Sequence, residues 1–260
     1  MTIKQIAFFG DSYCYDSRLN PMSMLYENHH YGSDLRGNQT QTYIDMLSEK
    51  LNLPVVHHGI SGHGPNWTMH ELITWLKRGE YNPKETFFIF CWSDPCRDLW
   101  NWDIQDEKIK EEHRGFDDKI HPGEFVAVGP DAPCIDEFLS IMPERVQAIK
   151  LWWLYLRNEN QYWRYWEQTK LAFKQLVYEY DIQYKKEFFC FPWTSDRPNE
   201  VDFSFYYNNI KFTNLYHFAQ HFDDYGVQGV DDLHYRNHFS DIGHVEMTSL
   251  LEEEYRRICE

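Results

Sequence analysis

The sequence predicts a single α/β domain over residues 1–260, with a parallel sheet of about five strands and helices on both faces. Short apolar runs alternate with segments of helical periodicity, and each of the first three runs is followed by small or polar residues. Composition agrees with this class, because 42% of the 260 residues are hydrophobic, which is enough to bury a sizeable core. Wholesale disorder is therefore excluded.

Four apolar runs are the predicted strands. They are rich in β-branched and aromatic residues, as strands of a parallel sheet that is buried on both faces are. The runs are residues 3–9, 53–56, 86–90 and 188–191.

Helical segments are predicted from apolar stripes that repeat every three to four residues. The region 143–180 predicts two helices or one bent helix, because residues 158–161 form a plausible break in the pattern. The other predicted helices are residues 42–51, 67–77 and 245–258.

Residues 97–142 interrupt this alternation of strands and helices. The segment is charged, is punctuated by Gly and Pro, and lacks clear periodicity. Long irregular segments in a compact domain are usually functional loops or lids, so we predict an irregular insertion here.

The charge of the chain narrows the classes of partner. Lys and Arg number 25 and Asp and Glu number 41, which gives a net charge of −16. Nucleic acid is not an expected partner, because phosphate binding needs a basic face, and an anionic membrane surface is disfavoured for the same reason. Aromatic residues make up 18% of the chain although the mean hydropathy is −0.67, so we expect a core built from Phe, Tyr and Trp.

The sequence also predicts a cytoplasmic location. No stretch reaches the ~18 apolar residues that a membrane span needs. The N-terminal segment has four consecutive apolar residues before Gly10, which is short for a signal peptide. The six cysteines show no C-x-x-C spacing, so we expect reduced and mostly buried thiols.

A serine follows the first predicted strand in the sequence Phe8-Phe9-Gly10-Asp11-Ser12. This position is at the carboxyl edge of the sheet, where open α/β sheets bind their ligands. The Ser12 hydroxyl is a candidate nucleophile if a base lies within hydrogen-bond reach. An ordinary β-turn uses the same residue types and is the alternative interpretation.

Three further segments carry reactive groups in a matching order. Gly59 and Gly62 follow the second strand, and a glycine there lets a backbone N–H approach a ligand closely, as an oxyanion hole requires. Ser93 and Asp94 follow the third strand. A run of Asp and His over residues 231–244 comes directly before the last predicted helix. Together the four segments favour a catalytic site over unrelated turns.

The order of these segments resembles the SGNH hydrolase superfamily of GDSL-type esterases and acetylhydrolases. That family carries four short sequence blocks on a flavodoxin-like, three-layer α/β/α fold. The resemblance implies that Ser12 is the nucleophile and that the Ser12 and Gly62 N–H groups line an oxyanion hole. The third block of the family is Gly-x-Asn-Asp, whereas Ser93 stands here in place of the oxyanion-binding asparagine. Loss of one such donor typically lowers the rate by roughly 10²–10³-fold, although the Ser93 hydroxyl can donate instead.

The fourth block of the family has the spacing Asp-x-x-His, with a glycine five residues after the histidine. Asp231 and His234 satisfy the first spacing, and His238 with Gly243 satisfies the second. We favour His238 as the base, because the glycine spacing fixes how the chain enters the last helix. Asp231 or Asp232 must then reach this imidazole, or the site works as a Ser–His dyad. The alternative is His234 as the base, with Asp231 orienting it.

Two functions are compatible with these motifs. The first is an esterase or acetylhydrolase that acts through an acyl-enzyme on a small, carbohydrate-borne ester and needs no cofactor. The second is a catalytically degenerate binding or structural module on the same fold. Short chains with degenerate third blocks resemble proteins of bacteriophage genomes, which would give the second function a role in the virion or its assembly.

Other histidines and tryptophans give weaker indications. His217 and His221 have the spacing of metal ligands on one helix face, but no third ligand is evident, so we expect no metal site. We expect residues 57–58, both histidines, in loops near the sheet edge. Three tryptophans either stack on a ring-shaped substrate or pack the insertion onto the domain: Trp92, Trp100 and Trp102.

Overall fold

The structure is a computed structural model that describes residues 2–10, 42–59, 64–79, 81–93, 98–101, 125–128, 159–190, 203–222, 239 and 241–260. In chain order the elements are β1 (Gln5–Gly10), α1 (Tyr43–Leu51), β2 (Val55–Gly59), α2 (Pro65–Arg78), β3 (Thr86–Trp92), β4 (Asp98–Asn101), β5 (Phe125–Val128), α3 (Glu159–Glu179), β6 (Lys185–Phe189), β7 (Phe205–Tyr207), β8 (Ile210–Phe212), α4 (Leu215–Phe222) and α5 (Asp241–Cys259).

Four parallel strands form the main sheet in the order β2-β1-β3-β6. The predicted α/β class is therefore confirmed, with four strands in the described part of the chain where the sequence predicted about five. The strand order reverses between β1 and β3, because the chain goes outward to β2 and then returns past β1. Flavodoxin-like sheets reverse at the same place, and their ligands bind there, outside the carboxyl ends of the strands.

Helices cover both faces of this sheet and make three layers. Successive side chains of a strand point to opposite faces, and β1 illustrates this rule. Phe8 belongs to the apolar cluster that includes residues of α1, α4 and α5. Phe9 belongs to the second cluster, which includes residues of α2 and α3. Each face of the sheet is thus a separate core layer.

Aromatic rings fill the layer beneath α2 and α3, as the composition predicted. Phe90 stacks on Phe9, Phe88 and Trp92 with centroid distances of 5.6, 5.9 and 5.6 Å. Phe173 of α3 meets the Phe90 ring edge-on at 4.8 Å. Stacked and edge-to-face rings at these separations add to the stabilisation that burial alone provides.

Local signals in the sequence set the helix ends. Asp45 of α1 accepts hydrogen bonds from both the backbone N–H and the hydroxyl of Thr42, each at 3.0 Å, which caps the first turn. The same helix ends at Asn52, whose φ of 50° is left-handed. Pro65 starts α2, where its missing N–H has no cost, and Gly79 ends it with a φ of 64°.

Two strand pairs were absent from the sequence prediction. The antiparallel pair of β4 and β5 lies within the predicted irregular insertion, and the rest of residues 97–142 is outside the described residues. The pair of β7 and β8 is a hairpin whose turn residues, Asn208 and Asn209, have positive φ angles of 49° and 64°. Two-residue hairpin turns of this kind favour asparagine, so this turn was recognisable in the sequence.

A hydrogen bond joins the β7–β8 hairpin to α5. The Tyr207 hydroxyl donates to the Glu246 carboxylate at 2.7 Å. Burial, together with this hydrogen bond, raises the pKa of Tyr207 to about 12, so the phenol stays protonated and remains a donor at neutral pH.

The described residues also test the expectations about the cysteines and about membrane-spanning segments. Cys91, Cys190 and Cys259 form no disulfide, and the first two are buried, in agreement with the expected reduced thiols. The other three cysteines lie outside the described residues. Among the helices that are described, none combines the length and apolar character that crossing a membrane requires.

We predict that Phe90→Ala lowers the free energy of unfolding by about 3–5 kcal/mol, because Phe90 is fully buried in the aromatic layer. Tyr178→Ala is the matched control, since this ring on α3 is 82% exposed and its loss should change stability by less than about 0.5 kcal/mol. Urea unfolding of the two variants measures the difference. Equal effects would contradict the description of this layer as the core.

Candidate functional site

The carboxyl ends of β1, β2 and β3 meet at one edge of the sheet. Gly10 is paired with Gly59 of β2 on one side and with Cys91 of β3 on the other. Neighbouring strands lie about 4.8 Å apart, so the last residues of the three strands lie side by side at this edge. The strand order also reverses between β1 and β3, which makes this edge the expected ligand site of the fold.

Ser93 directly follows β3 at this edge. Its side chain is fully buried, and no hydrogen-bond partner for its Oγ exists among the residues that the structure describes. A buried hydroxyl without a partner costs roughly 1–3 kcal/mol, and buried polar groups in folded proteins are nearly always hydrogen-bonded. This hydroxyl is therefore a candidate donor to a bound ligand.

Of the predicted site residues, the structure describes Ser93. The other predicted site residues lie outside the described residues, and their roles stay predictions: Ser12, Gly62, Asp231, Asp232, His234 and His238.

Phe239, which follows His238 in the chain, is described and is held by three rings. It packs on Tyr43 at 5.6 Å, on Phe218 at 6.1 Å and on His244 at 5.7 Å. Tyr43 in turn meets Phe8 of β1 at 5.8 Å, two residues before Gly10. The chain thus passes position 239 in the layer that covers the carboxyl half of β1.

His244 has a role that the sequence analysis did not assign. Its Nδ1 accepts a hydrogen bond from the Tyr43 N–H, one of the free donors at the start of α1, at 3.3 Å. The imidazole also stacks on the Tyr43 ring at 5.7 Å. This histidine therefore fixes α5 to α1 and holds the entry to the last helix. The adjacent Gly243 was the sequence signal for that entry.

His57 and His58 lie on β2 itself, so the expectation that they decorate loops was wrong. Strand β2 is at the edge of the described sheet and is half-buried, which tolerates polar side chains that a central strand would exclude. The Nδ1 atom of His58 lies 3.2 Å from the Glu71 carboxylate of α2, and its ring stacks on Phe9 at 4.8 Å. The His58 side chain therefore helps to join β2 to α2.

The sequence left open whether Trp92 stacks on a substrate or has a packing role. The structure shows that it packs in the core, because it is 1% exposed. Its indole N–H donates to the Glu187 carboxylate at 3.1 Å, and its ring meets Trp166 edge-on at 5.6 Å. Trp100 belongs to β4, whose side chains are not described, and Trp102 lies outside the described residues.

Of the two residues with metal-ligand spacing, His217 belongs to the cap of α4 and His221 lies in the last turn of that helix. Asn214 accepts a hydrogen bond from the His217 N–H at 2.8 Å at the start of α4, and His217 Nδ1 lies 2.8 Å from the Thr213 hydroxyl. His221 packs its ring against Phe212 at 5.5 Å. Within the described ranges, no group of three or more His, Cys, Asp or Glu side chains is arranged to hold a metal ion.

Comparison with known proteins does not assign a family, since no family model and no curated protein matches the chain.

We predict that Ser93→Ala leaves the free energy of unfolding unchanged or raises it by up to about 2 kcal/mol, because it removes a buried hydroxyl with no described partner. Thr86→Val is the matched control at the other end of β3. The buried Thr86 hydroxyl accepts from Gln5 at 2.9 Å and donates to the Asn82 carbonyl at 3.0 Å, so its loss should cost about 1–3 kcal/mol. Chemical denaturation measures both, and a Ser93→Ala cost as large as the control's would mean that Ser93 Oγ is hydrogen-bonded.

Proposed function

We propose that the protein is a serine esterase or acetylhydrolase that forms an acyl-enzyme at Ser12. The observation that carries the proposal is the buried hydroxyl of Ser93, which has no partner among the described residues and follows β3 at the carboxyl edge of the sheet. Ser93 comes two residues after Cys91, and Ser12 comes two residues after Gly10, the partner of Cys91 across the two strands. The register therefore supports a shared position at this edge.

In this mechanism Ser12 Oγ attacks the carbonyl carbon of the ester while a histidine accepts the hydroxyl proton. The carbonyl oxygen becomes an oxyanion that the N–H groups of Ser12 and Gly62 bind. The tetrahedral intermediate then expels the alcohol, which takes the proton from the imidazolium. Water attacks the acyl-enzyme by the same route, releases the acid and restores the Ser12 hydroxyl. No cofactor takes part in these steps.

The Ser93 hydroxyl replaces the missing asparagine as the third donor to the oxyanion. A donor that already lies in a buried, dry site needs no reorganisation when charge develops, and this is the main source of rate enhancement in oxyanion holes. The hydroxyl of Ser93 is buried and, among the described residues, uncommitted, which suits this role. The free-energy cost of burying the Ser93 hydroxyl without a partner is then offset by its hydrogen bond to the substrate.

The packing of Phe239 supports His238 as the base. Phe239 is anchored on Tyr43, which contacts Phe8 near the carboxyl end of β1. His238 is one residue from this anchor in the sequence, whereas His234 is five residues away, and this shorter separation favours His238.

A catalytically inactive binding or structural module is the second candidate. The observation in its favour is the absence of both the glycine and the asparagine of the third block at Cys91 and Ser93. The two functions differ in whether Ser12 is activated, and a reagent that reacts with activated serines separates them. The substrate we propose for the enzyme is a small ester, with an acetylated sugar as the first class to assay.

We predict that a fluorophosphonate labels the wild-type protein at Ser12 and that Ser12→Ala abolishes both labelling and the hydrolysis of a short acetyl ester. The substitution removes a single oxygen atom, so the melting temperature of the variant should stay close to that of wild type. Mass spectrometry of the labelled peptide locates the modified serine.

Ser249→Ala is the control, because this serine lies on α5 with its hydroxyl bonded to the Val245 carbonyl at 3.1 Å, and it should label normally. Ser93→Ala should remain labelled but lose roughly 10²–10³-fold in kcat, as the removal of one oxyanion donor does. A wild-type protein that neither labels nor turns over substrate would favour the binding module.

We predict that His238→Ala lowers kcat by at least roughly 10²-fold, the scale of general-base catalysis. His234→Ala should mainly raise KM, because it removes a contact with substrate at the rim of the site. Steady-state kinetics of the two variants provide the measurement. The reverse pattern would assign the base to His234, with Asp231 as its orienting carboxylate.

A further inference from the structure

A cleft of about 320 Å³ lies between α3 and the edge strand β6, on the aromatic face of the sheet. Its volume is within the range of small-molecule sites, which is roughly 300–1,000 Å³. Residues of α3 and β6 line the cleft, together with Phe203 and Trp92 of β3. The groups that line this cleft take no part in the mechanism proposed above.

The floor of the cleft is aromatic. Trp166 meets Trp92 edge-on at 5.6 Å and Phe203 edge-on at 6.2 Å. Phe173 lies against Trp92 at 5.0 Å. A flat ring that enters the cleft would extend this arrangement of stacked and edge-on rings, which is a favourable geometry for aromatic contacts.

The charge at the mouth of the cleft is positive. Glu187 is already neutralised, because Lys185 Nζ lies 2.5 Å from one of its oxygens and the Trp92 indole donates to the other at 3.1 Å. Lys170 and Lys174, one turn apart on α3, also line the cleft, and neither has an acidic partner among the described residues.

Lys170 and Lys174 place two like charges side by side without a described acidic partner. The chain has 41 acidic residues against 25 basic ones, and like charges four residues apart destabilise a helix. Four other lysines each lie within 3.1 Å of a carboxylate: Lys4, Lys50, Lys84 and Lys186. Lys77 and Lys211 also lack a described partner, but neither lines the cleft.

We propose that this cleft binds a small planar aromatic anion. The ring lies against Phe203, which is half-buried, and against the accessible edges of Trp166 and Phe173, which are 2% and 4% exposed. The carboxylate lies between the ammonium groups of Lys170 and Lys174. Charge complementarity selects the anion, because Glu187 is compensated within the cleft and the two lysines are not. The inference is independent of catalysis at Ser12.

Calorimetric titration of the full chain with 2-naphthoate tests the proposal. One equivalent should bind to wild type, and the uncharged analogue 2-naphthalenemethanol should bind at least about tenfold more weakly. Raising the salt concentration should weaken the binding of the acid but not that of the alcohol, because salt screens the interaction with the exposed lysines.

A pair of matched variants locates the site. The double variant Lys170→Glu/Lys174→Glu should weaken naphthoate binding by at least about tenfold, which corresponds to about 1.4 kcal/mol. Lys77→Glu/Lys211→Glu has the same change in net charge at two exposed lysines outside the cleft and should bind as wild type does. Thermal unfolding confirms that each variant is folded.

Three results would overturn the proposal. The first is no binding of naphthoate to wild type at millimolar concentration, which would also be the result if a segment of this chain fills the cleft. The second is equal affinity of the acid and the alcohol for wild type. The third is equal weakening in both double variants, which would indicate a response to net charge alone. The first two comparisons need only the wild-type protein, so they remain decisive if a variant fails to fold.

Discussion

The double pairing of β1 is the constraint on which the rest of the structure depends. All six residues of β1 are buried, and hydrogen bonds join the strand to β2 on one side and β3 on the other. A strand enclosed in this way must be apolar on both faces, and its one polar side chain, Gln5, donates to Thr86 at 2.9 Å. The register that satisfies the backbone of β1 also places Gly59, Gly10 and Cys91 side by side. The burial of β1 and the meeting of the three strand ends at the carboxyl edge therefore have the same cause.

The two faces of the sheet meet this constraint differently. Beneath α2 and α3 the layer is largely aromatic, and its rings bury much more area per residue than aliphatic side chains do. On the other face, smaller apolar side chains of α1 and α5 pack with the aromatic residues of α4 and the β7–β8 hairpin. Large buried rings compensate for a chain with few aliphatic residues and a net charge of −16, whose self-repulsion opposes the compact state.

The sequence allowed prediction of the helices with one apolar face and of the strands that are apolar throughout. Helices α1, α2 and α5 and strands β1 and β3 have a clear apolar period, and the structure confirms them. The predicted fourth strand began too late, because Lys185 and Glu187 of β6 line the cleft and do not read as buried strand residues. The position of Ser93 was predictable from its motif, but its burial was not. Burial depends on the packing of elements that are far apart in the chain.

Ser93 and the pair of Lys170 and Lys174 have one property in common, which is that their polar groups lack a partner among the described residues. A sequence specifies its fold best when every polar group is satisfied, and departures from this rule concentrate where a protein binds or reacts. The two departures have different physical origins. Ser93 carries a desolvation cost that a ligand hydrogen bond removes, whereas the lysines carry a repulsion that a ligand charge removes. A neutral ester carbonyl can accept the hydrogen bond from Ser93, and an anion can neutralise the two lysines. The two proposals therefore assign different chemistry to these two places, even though Trp92 and Ser93 are adjacent in the chain.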